Sequence, residues 1–459
     1  MSADTTDVAE QLGAALGGRV ASVRRLSGGA SRITSSFDLQ TPTGRVRALI
    51  LQQVRGTGLA QRPDIQVEAD LLRAARRAGV PVPDVVAAGA VDGLRPGWLV
   101  VERLEGETIP RRILRDEGFA LARPVLTDQM GRALAAVHSI DPSSVPGLPG
   151  ADPLRHPLEF LDALHEVRPV LELGVRWLAQ GGPPMDESVV VHGDFRMGNF
   201  LVDGDGLRGV LDWELAHRGD PAEDIGWLCA RAWRFGGPGR VGGLGELDGF
   251  LATYAEASGR TVDPDRVRWW EVYATVKWAV ICLLQTSTHL SGATRSVELA
   301  AIGRRVCESE WDLLALMGVT MPTGPGPVPG NRPEEAPDVG PAPTSPLFGR
   351  PSMAELVEAV VEYLETKVMT SSEGAARFEA RVARNVLAMV GRELDLGPAD
   401  LAAHAERLRI LGAPDETTVA AAIRGGRYDD DLLGVGAVLA EGARDQLLVA
   451  NPSYLDESS

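Results

Sequence analysis

The sequence predicts an α+β protein: a small strand-rich lobe, then a larger helical lobe, then an all-helical C-terminal domain. Three observations carry that expectation. Short apolar runs separated by turns fill residues 20–55, apolar residues at helical spacing dominate beyond Glu105, and a stretch rich in proline and glycine sets off the C-terminal part. At 459 residues the chain is too long for one hydrophobic core. The expected divisions are 1–104, 105–320, a linker at 321–346, and a helical domain at 347–459.

Taken in order, Val20–Leu26 and Ile33–Leu39 read as strands around Ser27-Gly28-Gly29-Ala30-Ser31, and Arg45–Val54 follows a Thr41–Gly44 turn. Asp64 is the expected N-cap of a helix carrying Val67, Leu71 and Ala78 on one face, closed by Gly79 ahead of Pro81. Val85–Ala90 and Gly97–Arg103 are two further strands flanking an Asp92-Gly93 turn. Leu126, Met130, Leu134 and Val137 mark the first long helix of the second lobe. Prolines and glycines between Met321 and Pro346 deny that stretch a helix or a central strand, so it reads as a semi-extended linker. Helices are then expected at Met353–Val368, Gly374–Leu394, Ala399–Leu411, Thr417–Arg424 and Asp431–Asn451. No acid/base, metal or phosphate motif stands out among them; packing, homodimer formation and regulation are all open roles.

Composition narrows the function. A net charge of −17 and a pI near 5.0 leave no surplus of cations to neutralise phosphates, which argues against nucleic acid or an anionic membrane as partner. Only Lys277 and Lys367 are lysines among the 46 basic residues, so few positions are open to lysine chemistry. Cys229, Cys282 and Cys307 form no CxxC unit, and neither a zinc site nor a disulfide framework is expected. The first residues lack a signal pattern and no run of 18 apolar residues occurs, so a cytoplasmic protein is expected.

The chemistry concentrates in VVVHGDFRMGNFLVDGDGLRGVLDWE, Val189 to Glu214. Val189–Val191 reads as a strand entering a polar loop, His192 to Asn199. Phe200–Val202 and Leu207–Leu211 then form a hairpin around Asp203-Gly204-Asp205-Gly206. A hairpin returns to its starting end, so Asp212 comes back beside Asn199, with Asp194 upstream on the same loop. Two carboxylates and an amide oxygen at one sheet edge are hard ligands of the kind Mg²⁺ takes.

These motifs, HGDFRMGN followed by LDWE, resemble those of the aminoglycoside phosphotransferase and choline-kinase family, which has the protein-kinase fold. The resemblance covers roughly residues 10–318. It implies a bilobal kinase-like architecture, with Asp194 orienting or deprotonating a substrate hydroxyl and Arg196 stabilising the transferred phosphoryl. Asn199 and Asp212 would hold Mg²⁺ on the phosphates of ATP or GTP. Gly28, Gly29 and Ser31 would belong to the phosphate-covering loop. Glu68 matches the acid that pairs with a strand lysine, and Glu102 and Leu104 lie on the hinge that meets the adenine. His192 reads as a structural hydrogen-bonder; Asp220 and Asp224 read as helix-start and loop-bracing residues.

One position departs from the pattern. The strand cation expected to pair with phosphate falls on Gln52, a neutral amide, with Arg47 or Arg55 as candidate substitutes. The reading that follows is a phosphotransferase acting on a hydroxylated small molecule, a hydroxyacyl-CoA or an aminoglycoside-like compound. Gln52 supports a rival, a degenerate kinase serving as a nucleotide-binding regulatory module. A phosphohydrolase built on His192, Asp194 and Asp212 is a third, which the glycine loop and hinge oppose.

Overall fold

A computed structural model describes residues 3–26, 32–54, 64–89, 97–150, 155–182, 188–323 and 351–456. Gly28, Gly29, Ser31 and Arg55 lie outside the described residues.

The chain divides into two compact units: 1–151 with 183–271, and 152–182 with 272–459. The first opens with a helix, Ala3–Leu16, and a five-stranded antiparallel sheet. Its strands are β1 Arg19–Arg25, β2 Arg32–Gln40, β3 Val46–Val54, β4 Val85–Gly89 and β5 Trp98–Glu102, in the order β1-β2-β3-β5-β4. The Thr41–Gly44 turn fixes the β2–β3 register, which places Thr34 opposite Gln52 and Arg32 opposite Val54. One face of this sheet buries Phe37, Leu39, Leu49, Leu51 and Val100 beneath Leu12 of the first helix.

Helix Ile65–Arg77 begins where expected, with the Asp64 carboxylate accepting from the Gln66 N–H at 3.0 Å. It packs against β4 and β5 and buries Leu71, Leu72 and Glu68. The remainder of the unit is mainly helical. Helix Arg123–His138 supplies Leu126, Met130, Leu134 and Val137 to a core shared with Phe195, Phe200 and Trp213. The catalytic-motif segment folds as β6 Val189–Val191, a loop, the hairpin β7 Phe200–Asp203 and β8 Gly206–Val210, and then β9 His217–Gly219, which pairs with β6. Strands followed by helices make this the α+β arrangement expected.

The second unit is helical, and it contains helices from both sides of the 321–346 segment. Helix Pro169–Gly181 packs against Glu416–Arg424, and Val306–Met317 packs against Leu432–Ala450. A Cβ on Gly436 would lie 2.6 Å from the Val319 side chain and 3.4 Å from that of Leu173, so side chains from before the 321–346 segment pack directly on the backbone of this helix. Arg424 binds both Glu172 and Asp162, and the Asn451 amide donates to Glu308 at 2.8 Å. This differs from a division at the proline-rich stretch. Proline and glycine composition there does not decide whether the flanking helices share a core. The second difference is one continuous helix over Gly374–Ile410, where two helices, Gly374–Leu394 and Ala399–Leu411, are expected. Proline removes one backbone bond and crowds the preceding turn, and the helix runs on through it. Among the described residues, no helix is long and apolar enough to cross a membrane.

Candidate active site

The catalytic loop is held by buried bonds before any ligand is considered. Gly193 has φ +77°, and a Cβ there would lie 2.3 Å from the Leu215 carbonyl oxygen, so only glycine fits the turn. Asp224, fully buried in helix Pro221–Cys229, accepts from the backbone N–H groups of His192 at 2.7 Å and Gly193 at 2.9 Å. His138 Nε2 meets the same carboxylate at 3.2 Å, while His138 Nδ1 reaches the Tyr254 hydroxyl at 2.8 Å. Burial alone would raise the Asp224 pKa; its bonds from His138 and His192 outweigh that and hold it below the usual value. His192 is buried, its Nδ1 accepts from the Asp194 N–H at 3.2 Å, and burial holds its imidazole below its ordinary pKa. Asp220 caps the same helix, Pro221–Cys229, through the Ala222 N–H at 2.9 Å.

Three of the expected residues meet on this loop. Asn199 Nδ2 donates to Asp194 Oδ2 at 2.6 Å, which turns the Asn199 Oδ1 away from that carboxylate. Asp194 Oδ1 accepts from Arg196 Nε and from Trp227 Nε1, each at 2.8 Å. The Arg196 guanidinium lies over the Trp233 ring, 4.2 Å from its centre, so the cation is stacked as well as paired. The hairpin closes as its pattern requires: the Leu211 N–H donates to the Asn199 carbonyl at 2.8 Å, and Asp212 follows directly. Asp212 has φ +65°, a left-handed conformation costing about 1–3 kcal/mol in a non-glycine residue.

The corner is strongly acidic. Burial first, then the negative charges of Glu214 and Asp194, push the Asp212 carboxyl up to about 7. Buried oxygen donors with a surplus of negative charge fit a hard divalent cation such as Mg²⁺. Among the described residues, no three His, Cys, Asp or Glu side chains are grouped to hold a metal alone. Mg²⁺ takes one or two protein carboxylates and completes its shell with water and phosphate, so the donor set present is compatible with it.

Glu68 is 2% exposed, and the cation beside it is Arg32 at the start of β2. Arg32 Nη1 donates to Glu68 Oε1 at 3.0 Å and to Gln52 Oε1 at 3.2 Å, Nη2 to Glu68 Oε2, and Nε to Glu214 Oε2 at 3.1 Å. Burial works to lower the Arg32 pKa, and the carboxylates of Glu68, Glu214 and Asp212 outweigh it, leaving it raised. Arg47 is not part of this group. Five residues from Gln52 on the same strand, it projects from the opposite face. Arg32 and Glu214 are the residues that sequence reasoning missed. The register of the Thr41–Gly44 hairpin was the available signal, since it sets Arg32 diagonal to Gln52 on one face.

At the hinge, β5 ends at Glu102, whose N–H donates to the Asp84 carbonyl at 2.9 Å. Leu104 lies just beyond, its side chain near Gly209 on β8. Glu107 and Val202 exchange backbone bonds of 2.8 and 3.0 Å, tying the hinge to the catalytic hairpin. A cavity of about 350 Å³, lined in part by Arg115, Arg123, Gly236 and Leu244, includes none of the catalytic-loop side chains. Gly242, in the same glycine-rich segment, is packed against Met197.

A five-stranded lobe with a buried acid–cation pair, a hinge, and a catalytic loop joined by a hairpin to a second carboxylate define a protein-kinase-like fold. The model of the phosphotransferase enzyme family matches residues 22–270, and the chain belongs to that family. A domain of unknown function matches residues 370–454. The fold is similar to that of a protein from Ralstonia eutropha JMP134 assigned as an aminoglycoside phosphotransferase, with a TM-score of 0.53 at 22% identity, covering 66% of this chain and 97% of that one. Two curated relatives are each 28% identical: acyl-CoA dehydrogenase family member 11 of Gallus gallus, over 45% of this chain, and member 10 of Mus musculus, over 40%. The matches span 27% and 18% of those longer proteins.

Proposed function

We propose that the chain is a Mg²⁺-dependent phosphotransferase that moves the γ-phosphoryl group of ATP, or of GTP, to a hydroxyl of a small metabolite. The observation that carries this is the convergence of Asp194, Asn199 and Asp212, through the Leu211–Asn199 backbone bond, at one edge of the catalytic loop. Asp194 accepts the hydrogen bond of the attacking hydroxyl and takes its proton as the new O–P bond forms. Its orientation is set by Trp227, Arg196 and Asn199. Asn199 Oδ1 and the Asp212 carboxylate would hold Mg²⁺, which when bound supplies charge neutralisation on the phosphate oxygens. Arg196, held over Trp233, supplies a fixed positive charge beside the transferred group. The backbone of Glu102 and Leu104 would receive the base, Gly28, Gly29 and Ser31 would cover the phosphates, and Arg55 is a further candidate for phosphate contact.

For the acceptor, the naming of both curated relatives as acyl-CoA dehydrogenase family members supports a hydroxyacyl thioester ahead of an aminoglycoside. The experiment is an assay of ³²P transfer from Mg-ATP and Mg-GTP to a panel of hydroxyacyl-CoA esters, sugars and aminoglycosides. Transfer to one class identifies the acceptor. Failure of the protein to bind either nucleotide with Mg²⁺ would overturn the reading.

A further inference from the structure

We propose that Arg32 supplies, from strand β2, the phosphate-holding cation that this fold ordinarily carries on the neighbouring strand at the position occupied here by Gln52. The inference rests on the nucleotide-binding reading above and concerns how this chain satisfies it.

The geometry argues from strand pairing. Thr34 stands opposite Gln52, so Arg32, two residues along β2, projects from the same face and lies diagonal to Gln52. Its guanidinium pairs with the helix acid as a strand cation would. It is bound at both nitrogens of its fork by the two oxygens of Glu68, and it sits in the field of Asp212, the carboxylate at the proposed metal edge. Gln52 has become an acceptor for Arg32, and so it orients the guanidinium.

Donor capacity agrees with that role. A guanidinium carries five N–H groups. Four are engaged, two by Glu68, one by Gln52 and one by Glu214. The fifth, on Nη2, remains to meet a phosphate oxygen. An ammonium has three donors and could not span Glu68, Glu214 and Gln52 while keeping one for the ligand. This accounts for arginine at the new position, where the substitution moves the charge by one strand and lengthens the fork that holds it.

The test uses the full chain and three probes: Mg-ATP, Mg-ADP and adenosine, with affinities read by calorimetry. A cation on the phosphates affects the first two and leaves adenosine alone, whereas a purely structural ion pair affects all three alike. Arg32→Gln is expected to weaken ATP and ADP by about ten- to a hundredfold, with adenosine unchanged. The double variant Arg32→Gln/Gln52→Lys, which returns a cation to β3, is expected to recover most of that loss. Arg55→Gln serves as the comparison and is expected to change ATP affinity less than Arg32→Gln. If Arg32→Gln does not fold, Arg32→Lys decides: it keeps the charge without the fork, and weaker ATP with unaltered adenosine supports the assignment. Wild-type ATP affinity in a folded Arg32 variant, equal losses for ATP and adenosine, a folded double variant no better than Arg32→Gln, or a larger loss from Arg55→Gln would each overturn it. A wild-type chain that binds no Mg-nucleotide overturns the proposed function itself, an outcome distinct from all of these.

Discussion

The catalytic-loop hairpin and the Arg32 cluster face the same acidic corner, yet they are assembled in opposite ways. In the hairpin, Asp194, Asn199 and Asp212 come from one continuous segment, and a single backbone bond from Leu211 to Asn199 brings the ends together. In the cluster, Arg32, Gln52, Glu68 and Glu214 come from four separate segments and meet only once sheet, helix and hairpin are in place. The first constellation is local and survives as a readable motif. The second is set by tertiary register, and its members leave no pattern along the chain. A site of mixed origin therefore conserves geometry in two currencies, spacing along the chain in one place and alignment across it in the other.

The local half should break cleanly. Asp194→Asn is expected to lower turnover about a thousandfold while nucleotide affinity stays close to wild type, because the amide cannot take the proton. Its single oxygen can serve Trp227 and Arg196 but its NH2 then faces the Asn199 donor, so stability falls by about 1–3 kcal/mol. Steady-state kinetics beside calorimetric binding would check it; near-normal turnover would remove Asp194 from its role.

A second cut bears on assembly at a distance, in the helical unit. Ending the chain at Thr320 removes Arg424 from Glu172, which is 4% exposed, and strips the helices after residue 351 from Pro169–Gly181 and Val306–Met317. Glu172 becomes solvated, but the apolar surface of Leu173, Leu314 and Val319 that packs at Gly436 is bared to water, at about 25 cal/mol for each Å² exposed. The shortened chain is expected to aggregate or to melt well below the full chain. A soluble fragment with unchanged melting temperature would establish the C-terminal helices as independent.

Gly193→Ala tests how tightly the loop's turn is specified. The left-handed φ and the Leu215 carbonyl at 2.3 Å from a new Cβ predict a loss of about 2–3 kcal/mol, read by urea unfolding. The smallest expected effect is that of Asp64→Ala, which removes the cap of the helix carrying Glu68. It should cost about 1 kcal/mol of stability. A larger fall in nucleotide affinity than in stability would mean that the helix position, and with it Glu68, depends on this cap.

Legibility in the sequence followed the same division. The strands around Thr41–Gly44, the Asp64-capped helix and the 200–210 hairpin were readable because turn residues and apolar alternation are local signals. The bracing role of Asp224 was readable from its place at a helix start, and it accepts the two loop N–H groups. Arg32 was not readable, because it sits beside glycines and looks like the beginning of an ordinary strand; only the register, summed across the turn, sets it against Gln52. The shared core of the second unit escaped for a different reason. Proline marks where a helix cannot run and carries no information about which helices later meet.

The bond between Leu211 and Asn199 fastens one end of the hairpin. The hairpin grows away from that bond, and its far tip is gripped separately, by Gln129 accepting from Leu207 at 2.7 Å. Fastened at both ends, the hairpin can neither slip in register nor swing as a flap, so Asp212 is presented to the acidic corner from a fixed strand end.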